Sequence, residues 1–232
     1  MLKSDGHERE NRPMLKHSFS SVKDFAGCAR RYHQVRILKN FKSSPTEATM
    51  YGERVHKAFE LYLTNGEPLP DDLLRHQPAL DKLKDTGREI LCEAKIGVRK
   101  DFSPCGFFDE DVWFRGIPDL LMLNGARTRA WVGDWKTGKS ARFADTSQLE
   151  LMAAMVMSHY PTVQRVKGML IFVVAGTTVS ADYHRDQLPE IWSKWAGEVD
   201  RIAVALENGV WNASPSGLCK FCPVSKDACE HR

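Results

Sequence analysis

At 232 residues the chain is long enough to bury a substantial core in one large domain, and far too long for a mini-protein. A composition of 42% hydrophobic and 27% charged residues excludes global disorder. The balance of 33 basic against 30 acidic residues excludes an extended basic nucleic-acid coat while leaving room for a basic groove offset by acids elsewhere. No stretch approaches the ~20 apolar residues that cross a bilayer; the most apolar, Met169 to Ala175, has the length of a buried strand, so no membrane role is expected.

The opening MLKSDGHERENRP has no apolar signal core and sets Lys3, Arg9 and Arg12 against Asp5, Glu8 and Glu10, which predicts a neutral polar tail over 1–13 and a cytoplasmic protein. In a reducing compartment six cysteines are poor disulfide candidates, and their spacing points first to metal ligation. A hydroxyl-rich entry at Phe19-Ser20-Ser21 opens a helix whose apolar positions return through Tyr32 and which carries Cys28. From Met14 to Lys42 seven Lys or Arg residues face one acid, Asp24, giving a local +6 that suits either a phosphate landing surface or a solvated helix face.

A second helix is expected from near Gly52 to Asn65-Gly66, with Val55, Ala58, Phe59 and Tyr62 on its apolar face and His56 at the border. Pro68 to Leu91 is polar with a helical flavour. Strands are expected at Glu93 to Val98, at Phe107 to Leu123 with an interruption, and at Ala130 to Lys136, forming an antiparallel meander. A helix from Thr146 to His159, an apolar strand from Lys167 to Val174 and a helix from Leu188 to Leu206 follow, before a turn-rich tail with three cysteines. The order helix, meander, helix, strand defines an α/β arrangement.

Asp119 follows Pro118 in the second strand-like stretch, and fourteen residues separate it from Asp134 on the next. If the two strands pair as a hairpin, the carboxylates approach each other, and Lys136, two residues beyond Asp134, points to the same face. Two carboxylates suit a hard divalent ion such as Mg²⁺ or Mn²⁺, which lowers the pKa of a coordinated water, while the lysine positions that water or neutralises charge on a phosphate. The competing structural reading is an ion pair beside the turn Lys136-Thr137-Gly138-Lys139.

Gly116-Ile117-Pro118-Asp119 followed by Val132-Gly133-Asp134-Trp135-Lys136-Thr137-Gly138 resembles the PD-(D/E)XK nuclease superfamily, and in particular its RecB-like exonuclease branch. His56 in Gly52-Glu53-Arg54-Val55-His56, then Glu93, then Gln148 match further motifs of that branch in the right order. The resemblance implies a restriction-endonuclease-like core, a mixed central sheet flanked by helices. It implies Asp119, Asp134 and His56 as metal ligands, the Trp135 carbonyl as a backbone ligand, Lys136 as the catalytic lysine, Gln148 as its orienting partner, and Glu93 in support of the metal. The branch usually carries a tyrosine four residues after the glutamine; here that position is Met152.

Cys219 and Cys222 form a Cys-x₂-Cys pair, and Cys229 follows after six residues. Such spacing clasps zinc or an iron-sulfur centre alike, with Cys28 or His231 available as a fourth ligand and Cys92 and Cys105 left as ordinary free thiols. One distant cysteine in a Cys-x-Arg-Arg-Tyr context and three near the carboxyl end resemble the iron-sulfur nucleases of the AddB type and the Cas-four family of CRISPR-associated exonucleases. That resemblance implies a 4Fe-4S cluster on Cys28, Cys219, Cys222 and Cys229 that staples a cap made of 14–42 and 207–232 onto a single nuclease domain over 14–232. The implied activity is Mg²⁺- or Mn²⁺-dependent exonuclease cleavage of DNA, on single-stranded ends, in CRISPR adaptation, recombination or a mobile element. The rivals are a non-catalytic DNA-binding adaptor that partners an integrase or recombination protein, and a zinc-stapled binding domain whose acids are coincidental.

Overall fold

The computed structural model describes residues 15–232, so the tail expected over 1–13 lies outside the described residues. Helix α1 (Phe19–Gly27) starts at Ser18, whose hydroxyl accepts from the Ser21 amide while Ser21 Oγ accepts from the Ser18 amide, a reciprocal cap. Cys28 breaks the helix in an extended conformation and caps the short α2 (Ala29–Tyr32), which runs on into a wider π-type turn. Helix α3 (Glu47–Asn65) begins five residues earlier than its apolar periodicity predicts, because the Thr46 hydroxyl caps the Thr49 amide. It ends at Gly66 in the left-handed conformation. After α4 (Gln77–Lys84) come β1 (Glu89–Cys92), β2 (Ile96–Val98), β3 (Pro104–Cys105), β4 (Phe114–Gly116), β5 (Leu120–Leu123) and β6 (Arg129–Lys136). Then follow α5 (Ser147–His159), β7 (Arg165–Phe172), β8 (Thr177–His184) and α6 (Leu188–Asn208).

The strands form a five-stranded mixed sheet in the order β1-β5-β6-β7-β8 and a small antiparallel sheet in the order β3-β2-β4. In the large sheet only β6 and β7 are parallel, joined through α5; the other neighbours are antiparallel. The expected meander is therefore right for β5 and β6 but incomplete. A strand at Glu89–Cys92 overlaps the end of the segment read as helical, and the strand expected from Glu93 begins only at Ile96. Strand β8 escaped because its inward residues Val179, Ala181 and Tyr183 are interleaved with small polar ones, a weak period-two signal.

Helix α5 is apolar almost all round, with Leu149 and every residue from Leu151 to Met157 buried, because it packs between the large sheet on one side and α6 and the small sheet on others. Along β6 the pleat sends Ala130 and Val132 into this core and Trp135 into a second one with Val55, Phe59, Tyr62, Leu73 and Leu80 on α3, α4 and their connection. By the same alternation Asp134 and Lys136 share the α5 side. Gly168 on β7 permits the contact with α5, since a Cβ there would stand 2.7 Å from Leu149 Cβ. His17 ties the amino-terminal segment to β4 through backbone bonds to Trp113 and Arg115, and its ring is 4% exposed.

Gly168→Ala should destabilise the fold by ~1–3 kcal/mol through overpacking, read as a lowered denaturation midpoint. Burial lowers the His17 pKa to about 4. Because the folded-state value lies below the unfolded one, this contribution is full above about pH 6.5 and is lost as pH falls toward 4. Equilibrium unfolding of wild type and His17→Leu should therefore diverge in slope across that window, with wild type losing about 3 kcal/mol more.

Candidate active site

The register of β5 against β6 sets the site. Leu120 pairs with Gly133, so Asp119, one step before β5, falls beside Asp134. Asp119 Oδ2 accepts from the Trp135 amide at 2.7 Å, and Oδ1 lies 3.2 Å from His56 Nδ1 on α3. On the α5 side, Asp134 Oδ1 accepts from Gln148 Nε2 at 2.5 Å, Lys136 Nζ stands 2.7 Å from Asp134 Oδ2, and Lys136 donates to Gln148 Oε1 at 3.1 Å. Gln148 thus holds the carboxylate with its amide and the ammonium with its carbonyl, fixing the distance between them.

Glu93 follows directly on β1, and its amide reaches the Asp119 carbonyl at 3.4 Å, extending the β1 and β5 pairing by one residue. Its φ of 53° is left-handed, a conformation that costs a non-glycine residue ~1–2 kcal/mol. That turn brings a carboxylate oxygen of Glu93, a ring nitrogen of His56 and an oxygen of Asp119 within 4.8 Å of one another. Asp134 is not in this trio. The structure therefore gathers His56, Glu93 and Asp119 as one group and Asp134, Lys136 and Gln148 as an adjoining one, with Asp119 and the Trp135 backbone between them.

The electrostatics of the two groups are coupled. Burial pushes the Asp134 carboxyl above the usual carboxylate range; the Lys136 ammonium pulls it back and the Asp119 charge pushes it up again. Burial, Asp119 and Glu60 raise Glu93 in the same way, against His56 and Lys57. For His56, burial opposes protonation most strongly, but a hydrogen bond to Asp119, the charges of Asp119 and Asp134, and a bond to the Trp135 backbone together lift it above its ordinary value. Cys92, beneath the same carboxylates, is raised to about 11 by burial and by Glu60, Glu93 and Asp119, and so stays a neutral thiol.

A hard divalent cation fits this chemistry. Two carboxylates and an imidazole converge, and a third carboxylate, Asp134, adjoins them, its buried Oδ2 met by the Lys136 ammonium at 2.7 Å. His56, Glu93 and Asp119 would hold the ion, with Asp134 and the Trp135 carbonyl adjoining. Met152, where the resemblance expects a tyrosine, is buried beneath β4, its methyl 2.8 Å from where a Gly116 Cβ would be. That position serves packing and offers no hydroxyl.

At the other end of α1, Cys28, Cys219, Cys222 and Cys229 line one cavity of about 370 Å³ together with Arg30, Arg31 and His231. The Arg31 and Ser214 amides approach Cys28 Sγ at 3.4 and 3.5 Å, the Ser216 amide approaches Cys219 Sγ at 3.3 Å, and the Arg30 amide bonds the Asn212 carbonyl at 3.1 Å. The four thiols are not gathered tightly: among the described residues, no three of them lie mutually within 4.8 Å. Cys105, buried beside β2, stands near Asp109 and Asp111, but both acids are paired with Arg99.

The sequence profile of the PD-(D/E)XK nuclease superfamily matches residues 16–230, nearly all of the described chain. The chain belongs to that superfamily. Its fold is similar to a crystal structure from Eubacterium rectale described as a "Putative exonuclease", with a TM-score of 0.54, 13% identity, and coverage of 97% of this chain and 95% of the other. The crystal structure of SSO0001 aligns at a TM-score of 0.37 with 12% identity, over 82% of this chain and 77% of the other. No curated protein matches in sequence. The mixed five-stranded sheet flanked by helices is thus a restriction-endonuclease-like nuclease fold, and the acidic group is its candidate metal site. No helix among the described residues is long and apolar enough to cross a membrane.

Calorimetric titration with Mn²⁺ should show binding that weakens at least ~10-fold in Asp119→Ala and in Glu93→Gln but survives in Lys136→Ala, since a cation repels the ion rather than holding it. Unchanged affinity in both carboxylate variants would remove the assignment.

Proposed function

We propose that this protein is a divalent-metal-dependent deoxyribonuclease that hydrolyses phosphodiester bonds, acting on single-stranded DNA ends. The observation that carries the reading is Lys136 held by Gln148 against Asp134, one register step across the hairpin from Asp119. A bound divalent cation supplies Lewis acidity toward a phosphate oxygen and lowers the pKa of a coordinated water. Asp119, Glu93 and His56 would hold the cation, with Asp134 and the Trp135 carbonyl as adjoining ligands. Lys136 orients the attacking water and offsets the negative charge that grows on the phosphate, and Gln148 keeps its ammonium aimed. Hydrolysis joins the water oxygen to phosphorus and expels one ester oxygen, which leaves with a proton. Preference for ends rests on the RecB-like motifs and on the fold similarity above.

The reading includes a 4Fe-4S cluster on Cys28, Cys219, Cys222 and Cys229. Its support is that four cysteines from both ends of the chain line one cavity, in the pattern of the iron-sulfur nucleases. The cluster would join 14–42 to 207–232 as a cap on one nuclease domain. The similarity of its cysteine pattern to Cas-four and AddB proteins suggests work in CRISPR adaptation or recombination beside an integrase or recombination protein.

Labelled linear single-stranded DNA should be degraded with Mg²⁺ or Mn²⁺ and spared with chelator, and Lys136→Ala should be slower by about 10²–10³-fold. Melting curves run alongside separate this loss from unfolding, since Asp134 loses a partner. Equal traces without cleavage for wild type and variant would favour the adaptor. Anaerobically purified protein should carry iron and sulfide that Cys222→Ser loses; colourless zinc-loaded protein would exclude the cluster.

A further inference from the structure

The connection from β6 to α5 carries a feature that neither the fold nor the metal site requires. Phe143 is 88% exposed, more than any other large apolar side chain among the described residues. It lies seven residues after Lys136 and five before Gln148, so both ends of its loop are the catalytic scaffold itself.

The loop is fixed. The Ala144 amide bonds the Ala141 carbonyl at 3.0 Å, and both alanines pack on the main core. The Arg142 amide bonds Ser140 Oγ at 3.1 Å. Asp145 pairs with Lys23 of α1 at 2.7 Å and accepts from the Ser147 amide at 3.0 Å, while Tyr183 donates to the Thr146 carbonyl at 3.1 Å. A tight turn whose small residues face inward therefore presents a bare phenyl ring outward. Two cations share the loop with it: the Arg142 guanidinium stands 5.3 Å from the ring centroid, and Lys139, four residues earlier, is exposed. The one acid of the stretch, Asp145, is already neutralised by Lys23.

We propose that Phe143 is a stacking platform for an unpaired nucleobase next to the scissile phosphate, with Arg142 and Lys139 gripping the flanking phosphates, which makes the 137–146 loop the element that sets the strand in register with Lys136. A rigid aromatic ring between cations is what single-strand binding uses, because every base offers a π-face and every linkage a charge. The inference rests on the nuclease reading and deepens it: it names the unpaired base, not duplex backbone alone, as the recognised group.

The test measures binding in chelator, so that no cleavage intervenes, using a fluorescent twelve-nucleotide oligo-dT and a probe of equal length made of abasic residues. Wild type should prefer the thymine probe by about 5- to 100-fold, and Phe143→Ala should lose that preference while Phe143→Trp keeps it. With metal present, Phe143→Ala should raise KM by a similar factor and also lower kcat as the strand loses its register with Lys136, and Phe143→Trp should restore both. The melting temperature should not move, since the ring is exposed. Wild-type cleavage with no difference between Phe143→Ala and wild type in either assay overturns the stacking role and leaves the nuclease reading standing; wild type that neither binds nor cuts DNA defeats both. A substitution that changes only self-association, seen by light scattering, assigns the ring to a protein contact and overturns the proposal.

Discussion

The site depends on a carboxylate taken out of water. Asp134 sits near the end of a strand packed on both faces, where an isolated charge would be too costly to keep. The protein retains it with Lys136 on the same face and with the Gln148 amide from the helix above. That compensation is incomplete, because Asp119 brings a second charge beside it and Glu93 a third nearby. A bound cation would relieve such crowding, and the same carboxylates that create the need are its candidate ligands.

Helix α5 links this local electrostatics to the whole fold. Its middle is core, pressed between two sheets, so its position is over-determined by packing; its first turn carries Gln148. The geometry of the candidate site thereby inherits the rigidity of the interior. Asp145, just ahead of the helix, has its pKa lowered to about 2: burial works against this, but bonds from Lys23 and Ser147 prevail. Through Lys23 the start of α5 is tied to α1, and α1 ends at Cys28. The cysteine-lined cavity and the acidic site are therefore joined through a single helix and one ion pair.

How much of this was legible in the sequence follows from the range of the interactions. The hairpin holding Asp119 and Asp134 is local, so the spacing brings both acids and Lys136 together wherever the two strands pair, while the family motif is what favours a metal site over an ion pair beside the turn. Gln148 stands at the head of a strongly apolar helix, and only the resemblance to the nuclease branch singles it out there. Glu93 was assigned to the start of a strand. It instead follows the end of one, because β1 pairs with β5 across thirty residues and no local period records that. Strand β8 was missed for its polar outer face. The exposure of Phe143 was invisible, since an isolated phenylalanine in a loop reads as a core residue until the inward turn of Ala141 and Ala144 is known.

The most direct measurement is anomalous diffraction from a crystal soaked in Mn²⁺. A peak is expected within about 2.3 Å of an Asp119 carboxylate oxygen, in the group formed with His56 and Glu93 and next to Asp134. A peak that touches neither aspartate, or acidic groups that take up no ion while the protein still cuts DNA, would contradict it.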